Sequence, residues 1–436
     1  MLPALITSIP GPQSLQLAAR LGKVECRNTT FRSPEWPIFW ERAEGVNVWD
    51  ADGNRYLELT SGFGVATLGH GFPAAALEAQ SRNLLHAMGD VHPARLKVEL
   101  CERLSALTFE RWTGRPGKTL LGNSGFEAVE AALKTAALAT GRSGILAFEG
   151  AYHGLGYGSL LGAGIPWFRA PFENQLAKIT TRLPFPMVDD EAALDRCLEL
   201  LEALDGRNIG AVLVEPFQGR GGLVIPPPIF LRELRAWCDR NAALLIFDEI
   251  FTGLNRTGKL FACDWSPAAP DLVCLGKALS GGFPISACVG RGGIMDAWPE
   301  THGEALHTST FLGNPLGCAM AIACLDEHAK PETTASARER GETLGAALAT
   351  LRGEPYVSET RGQGLMQGVE LRHPDGRPAG DVAIALVQTL LRQGLLLLPE
   401  GPEGHVLSFS PPIGISDDEI ALTVNRLRAG LRGNFE

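Results

Sequence analysis

Short, uninterrupted apolar runs recur along the middle of this chain, at residues 144–148, 211–214, 243–247 and 272–275. A strand with one wet face alternates polar and apolar residues. A strand covered on both faces reads instead as continuous Val, Ile, Leu and Phe, as these do. Helix-like segments or glycine-rich loops separate the runs, which predicts an α/β fold: a large domain with a mostly parallel sheet flanked by helices. No repeat with a period of about 20 to 50 residues interrupts the pattern, so solenoids and propellers are excluded.

The flanks differ. Upstream, VNVWDADGNRYLELTSG places Asp52 and Gly53 between alternating residues, the pattern of a β-hairpin. Downstream, helical stretches at 335–351 and 381–392 alternate with short strand candidates, and a last helix starts at Ser416 with Glu419 completing a capping box. Its apolar residues Ile420, Val424, Leu427 and Leu431 share one face. The expected organisation is residues 1–70 contributing to a small domain, 71–330 forming the large one, and 331–436 completing a small α+β domain.

Composition narrows the function classes. The 436 residues carry 49 acidic and 39 basic side chains, a net charge of −10, which gives no electrostatic drive to hold a polyanion; no nucleic acid partner is expected. Nine scattered cysteines do not form a secreted disulfide framework. The N-terminal stretch lacks a basic n-region and is broken by prolines, and no apolar run approaches the ~20 residues that span a bilayer. The expectation is a cytoplasmic protein with no membrane segment.

In an open parallel sheet, ligands bind beyond the carboxyl ends of the strands. Five strand-end junctions carry polar chemistry. In GNSGFEAVEAALK a glycine turn enters a helix, where Ser124 and Glu127 fit a capping box and the free N–H groups suit a phosphate. In EGAYHGLGYG, Tyr152 and His153 follow a strand, and the aromatic ring could stack on a flat ligand. VLVEPFQGRGG supplies Glu215, Gln218 and Arg220. LIFDEIFTG ends the most apolar strand with Asp248 and Glu249, where a buried carboxylate calls for a partner. LVCLGKALSGG brings Lys277, one of only eight lysines against 31 arginines, to the same edge.

A phosphate cradle, a stacking aromatic, a carboxylate and a sequestered lysine together match one cofactor, pyridoxal 5'-phosphate. It carries an aldehyde that joins a lysine, a ring nitrogen that draws electrons while protonated, and a phosphate. Asp248 would hold the ring proton, and Lys277 would move a proton between the substrate carbon and the cofactor.

At this point the chain resembles a known family. NSGFEAVEAALK, YHG, EPFQG, DEIFTG, RTGKLFA, LGKALSGGFPISA and STFLGNP, in that order, are similar to the class III aminotransferases (4-aminobutyrate/acetylornithine-like) of pyridoxal-phosphate fold type I, from about Gly45 to Pro412. The resemblance implies a homodimer with shared active sites. It implies that Lys277 forms the Schiff base, with Asp248 at the pyridine nitrogen and Gln218 near the ring hydroxyl. Tyr152 and Ile250 would cover the two ring faces. Ser124 opens the phosphate turn, Gly125 and Phe126 would give backbone donors, and Thr310 would reach the phosphate from the partner subunit. Phe126 departs from the small or hydroxylated residue usual there.

The substrate positions depart further. Leu155 stands where many relatives acting on ornithine, acetylornithine or 4-aminobutyrate have arginine. Arg220 and Ser408 stand where such enzymes pair a glutamate with an arginine. Either Arg220 anchors a substrate or acceptor carboxylate, or the amino donor has no α-carboxylate. Phe63 is a further expected substrate contact. The implied reaction moves an amino group from an amine or amino acid, including ω-amines, to a keto acid; a decarboxylase, racemase or aminomutase is the alternative. GLNRTGKL resembles a nucleotide phosphate loop, but Leu260 replaces the hydroxyl that would hold Mg²⁺. No HExxH, CxxC or GxSxG occurs, so neither a metal nor another catalytic class is indicated.

Overall fold

The structure, a computed structural model, describes residues 1–31 and 36–433. The chain divides into two compact units, Pro73–Arg338 on one side and Met1–Phe72 with Glu339–Glu436 on the other.

The unit Pro73–Arg338 is built on seven strands: β1 (Gly117–Gly122), β2 (Gly144–Phe148), β3 (Thr180–Leu183), β4 (Ile209–Val214), β5 (Leu244–Asp248), β6 (Leu272–Leu275) and β7 (Ser286–Arg291). Their order is β1-β7-β6-β5-β4-β2-β3. Only β7 runs antiparallel to its neighbours, so β1, lying beyond it, points the same way as β6. Hence β1 to β6 all end at one edge, and whatever follows them is gathered there.

The uninterrupted apolar runs are explained by cover on both faces. Val212, Val214, Leu245 and Phe247 join one cluster with Phe230, Leu234 and Trp237 of the helix Pro228–Asn241. Ala211, Leu213 and Ile246 face Ala128, Ala132 and Ala136 of the helix Gly125–Thr140. Each fully buried Val, Leu or Phe contributes roughly 1.5–3 kcal/mol, so every residue of such a strand is held apolar. Alanines on the covering helix let its axis lie close to the sheet.

The other unit holds two four-stranded sheets. The hairpin Asn47–Asp50/Arg55–Glu58 pairs Val48 with Tyr56 and turns at Asp52–Gly53; Trp40–Glu44 lies on one side of it and Leu395–Leu396 on the other. The second sheet is antiparallel, with Ser408 buried in the strand Val406–Phe409. The helices Gly380–Leu391 and Asp417–Arg432 turn Leu386, Leu390, Ile420, Val424 and Leu427 inward, the latter helix starting at the Ser416/Glu419 box. Among the described residues no helix is long and apolar enough to cross a membrane.

Candidate active site

The edge where six of the seven strands end collects nearly all the predicted side chains. At the end of β5, Asp248 is 4% exposed. One of its oxygens, Oδ1, accepts the Ile250 N–H at 3.1 Å, and Oδ2 lies 2.7 Å from Nδ1 of His153, itself buried after β2. A carboxylate is acceptor-only, so Nδ1 carries the hydrogen and donates. The buried partner required for Asp248 is thus an imidazole. A carboxylate has about four lone-pair sites and two are occupied, which leaves capacity toward a further donor. Nε2 of His153 is buried without a hydrogen-bond partner among the described residues.

Lys277 follows β6 through Gly276 and adopts a left-handed backbone, φ 46°. A non-glycine residue there is strained, and such strain persists where the surroundings fix a side chain's direction. Its Nζ lies over the Phe251 ring, 4.4 Å from the centroid. Ile250 packs on Gly125, where an added Cβ would sit 3.0 Å from the Ile250 side chain.

The helix Gly125–Thr140 opens at the end of β1. Glu127 turns back to accept the N–H groups of Asn123 (2.5 Å) and Ser124 (2.9 Å). The reciprocal half of the predicted box is absent: Ser124 Oγ is buried with no hydrogen-bond partner among the described residues. A capping serine that leaves its hydroxyl unused at a helix N-terminus fits an anion there, since the first helical N–H groups, those of Gly125 and Phe126 included, have no intrahelical acceptor. The bulk of Phe126 is accommodated by glycines. A Cβ on Gly154 (φ 96°) would lie 2.4 Å from its Cβ, and one on Gly156 would lie 2.5 Å from its ring.

Tyr152 and Gln218 form opposite loops of the site. The Tyr152 N–H donates to Glu215 Oε1 at 2.9 Å, and the Gly219 N–H donates to Glu215 Oε2 at 3.0 Å. Gln218 Nε2 donates to the Glu149 carbonyl at 2.8 Å. Burial pushes the Glu215 carboxyl up to about 7, with Asp248 adding to the rise and His153 opposing it. The Arg220 guanidinium lies over two rings, 5.3 Å from Tyr152 and 5.7 Å from Phe168, which meet each other edge to face at 5.3 Å. Thr310 is exposed, on the segment before the helix Pro315–His328. Phe63 belongs to the other unit, 57% exposed within a left-handed turn, and lines there a cavity of about 770 Å³ with Trp40, Ile38 and Leu398.

Residues 30–431 match the aminotransferase class-III family. The chain belongs to the class-III aminotransferases. It is 37% identical to an acetylornithine aminotransferase of Xanthomonas axonopodis, covering 90% of this chain and 92% of that one. It is 33% identical to a 2-aminoadipate transaminase of Pseudomonas putida, covering 87% and 92%. An amine transaminase from an uncultivated Pseudomonas species, solved with pyridoxal phosphate bound, superimposes with a TM-score of 0.85 at 29% identity, over 94% of this chain and 98% of that one. This aminotransferase is therefore a pyridoxal-phosphate enzyme, and the orphaned Ser124 hydroxyl, the open side of Asp248 and the strained Lys277 suit that cofactor.

Two residues of the site had no role in the sequence reading: His153, visible only as the neighbour of the aromatic Tyr152, and Glu215, visible only as the acid that precedes a proline at a strand end. Ser286, a third, begins β7 opposite Gly122 with a buried hydroxyl that has no hydrogen-bond partner, and nothing in its local sequence marks it.

Proposed function

We propose that this aminotransferase moves an amino group from an amine or amino acid, ω-amines included, to a keto acid, using Lys277 as the covalent anchor and proton carrier. Bound pyridoxal phosphate supplies an aldehyde carbon that exchanges amines and a conjugated ring that withdraws electrons. The observation that carries the reading is the buried His153–Asp248 pair, which holds an anion at one spot of the strand edge where Lys277 emerges. There Asp248 keeps a proton on a ring nitrogen through a charge-assisted bond, and His153 fixes the carboxylate's orientation. Tyr152 and Ile250 would bound the ring, Gln218 would hold the ring oxygen, and Ser124, Gly125 and Phe126 would hold the phosphate. Lys277 Nζ would be the group that joins the cofactor's aldehyde and, when free, the base and acid that moves a proton from the substrate carbon.

The relatives' names, acetylornithine and 2-aminoadipate, support an amine carried on a chain with a carboxylate elsewhere. In this chain the Arg220 guanidinium lies 5.3 Å from the centroid of the Tyr152 ring, and we assign it to a substrate or acceptor carboxylate. Exposed Leu84, Leu85, Met88, Val91, Leu306 and Phe311 lie in the same unit as Thr310, and a second copy covering them would form a homodimer that brings Thr310 to the partner's phosphate. Nine unpaired cysteines favour a reducing, cytoplasmic setting. The test is a panel of amines and ω-amino acids scored for keto-acid-dependent amino transfer. Release of CO2 without transfer would contradict the assignment, and an unchanged KM for every carboxylate substrate in Arg220→Ala would remove the anchor.

A further inference from the structure

One buried acid takes no part in the chemistry above. Glu215 directly follows β4 at 5% exposure, and its two oxygens accept N–H groups from two different loops: Tyr152 after β2, and Gly219 between Gln218 and Arg220. The side chains assigned to the ring's face and to its oxygen therefore hang from one carboxylate. Gln218 Nε2 on the Glu149 carbonyl is the other tie between the same loops. The charged groups facing Glu215 are His153 from the β2 loop and Asp248 from β5. Burial is the dominant influence and favours the neutral acid, whereas His153 and the two N–H donors favour the anion.

We propose that Glu215 is a positioning residue whose ionised carboxylate sets the spacing between Tyr152 and the Gln218–Arg220 loop, and with it the fit of the slot for the cofactor ring, so that cofactor affinity depends on its protonation. This rests on the assignment of the cofactor site given above. The anion accepts both N–H groups; the neutral acid keeps one good acceptor and gains an O–H that must compete with an N–H. The two consequences have opposite signs. The group is raised from 4.5 to about 7, so its contribution to folding stability is present below pH 4.5 and lost as pH rises through 7. Over the same rise the slot tightens.

The test uses wild type, Glu215→Gln and Glu215→Asp, stripped of cofactor and titrated with pyridoxal phosphate at pH values on both sides of 7. Wild type binds more weakly as pH falls through 7. Glu215→Gln, which presents an amide N–H to one of the two donors, binds about 10- to 100-fold more weakly at pH 8, as loss of a hydrogen bond to a charged acceptor implies, and lacks the pH step attributed to this residue. Glu215→Asp retains the charge and the step at reduced affinity. A Glu215→Gln titration that overlays wild type at every pH overturns the proposal. Borohydride trapping at saturating cofactor still marks Lys277 in all three proteins, and its failure in wild type would sink the cofactor site itself rather than the role of Glu215. Should the variants not fold, hydrogen exchange in wild type decides: the Tyr152 and Gly219 amides lose protection at pH 6 relative to pH 8 beyond the intrinsic rate change, and equal protection overturns the proposal.

Discussion

Replacing His153 with leucine isolates the contact on which Asp248 depends. The bond spans 2.7 Å between groups that are 2% and 4% exposed, and Asp248 also accepts the Ile250 N–H at 3.1 Å. A hydrogen bond to a charged group contributes about 1.5–3 kcal/mol net. At about 1.4 kcal/mol per factor of ten, its loss weakens the hold on a ring proton by about 10- to 150-fold. Leucine fills similar space and removes the unpartnered Nε2, but it leaves the buried Asp248 carboxylate short of a donor, so the expected loss of folding stability is about 3 kcal/mol. Stopped-flow measurement of the amine half-reaction should show the rate down by about 10- to 100-fold, with the amine concentration for half-maximal rate within about twofold of wild type, since a buried imidazole on Asp248 touches no substrate. A folded variant with an unchanged rate would refute the argument. A loss confined to amine affinity would make His153 a substrate contact instead.

Three further outcomes follow from particular contacts. Ser124→Ala removes a buried hydroxyl that has no protein partner, so the cofactor-free protein should melt at the same temperature or slightly higher, while phosphate-dependent cofactor affinity falls about tenfold; a lower melting point with unchanged affinity would make the hydroxyl structural. Gly154→Ala forces a Cβ to 2.4 Å from Phe126 Cβ at a φ of 96°, and thermal unfolding should report a loss of at least about 2 kcal/mol. Glu249 is raised from 4.5 to about 7 by burial, against the pull of Thr252 and the Ala262 and Cys263 N–H groups. Its contribution to stability is present below pH 4.5 and lost as pH rises through 7, on the order of 3 kcal/mol, so denaturant titrations of Glu249→Gln should show a flatter decline across that window than wild type.

The α/β class was legible because burial on both faces leaves a mark on every residue of a strand: Leu245, Ile246 and Phe247 point alternately into two different clusters, yet all three must be apolar. The edge at which chemistry gathers was legible for a related reason, since parallel strands bring their carboxyl ends together whatever loops follow. Partnerships were not. His153 and Asp248 are 95 residues apart, and no local pattern encodes which buried acid meets which donor. The Ser124/Glu127 spacing satisfies a capping box in sequence, but one hydroxyl cannot serve both the helix and an outside anion, and the structure leaves it unused. Nor does the left-handed backbone of Lys277 register in sequence, where glycine is the usual sign of positive φ.

The central claim is that Nζ of Lys277 captures the cofactor's aldehyde at this strand edge. Borohydride reduction of the purified holoenzyme, digestion and peptide mass spectrometry test it most directly. The account predicts a single pyridoxyl-phosphate mass increment, located on Lys277 and absent from Lys277→Ala; an increment on another lysine, or none on a protein that still transfers amino groups, would contradict it.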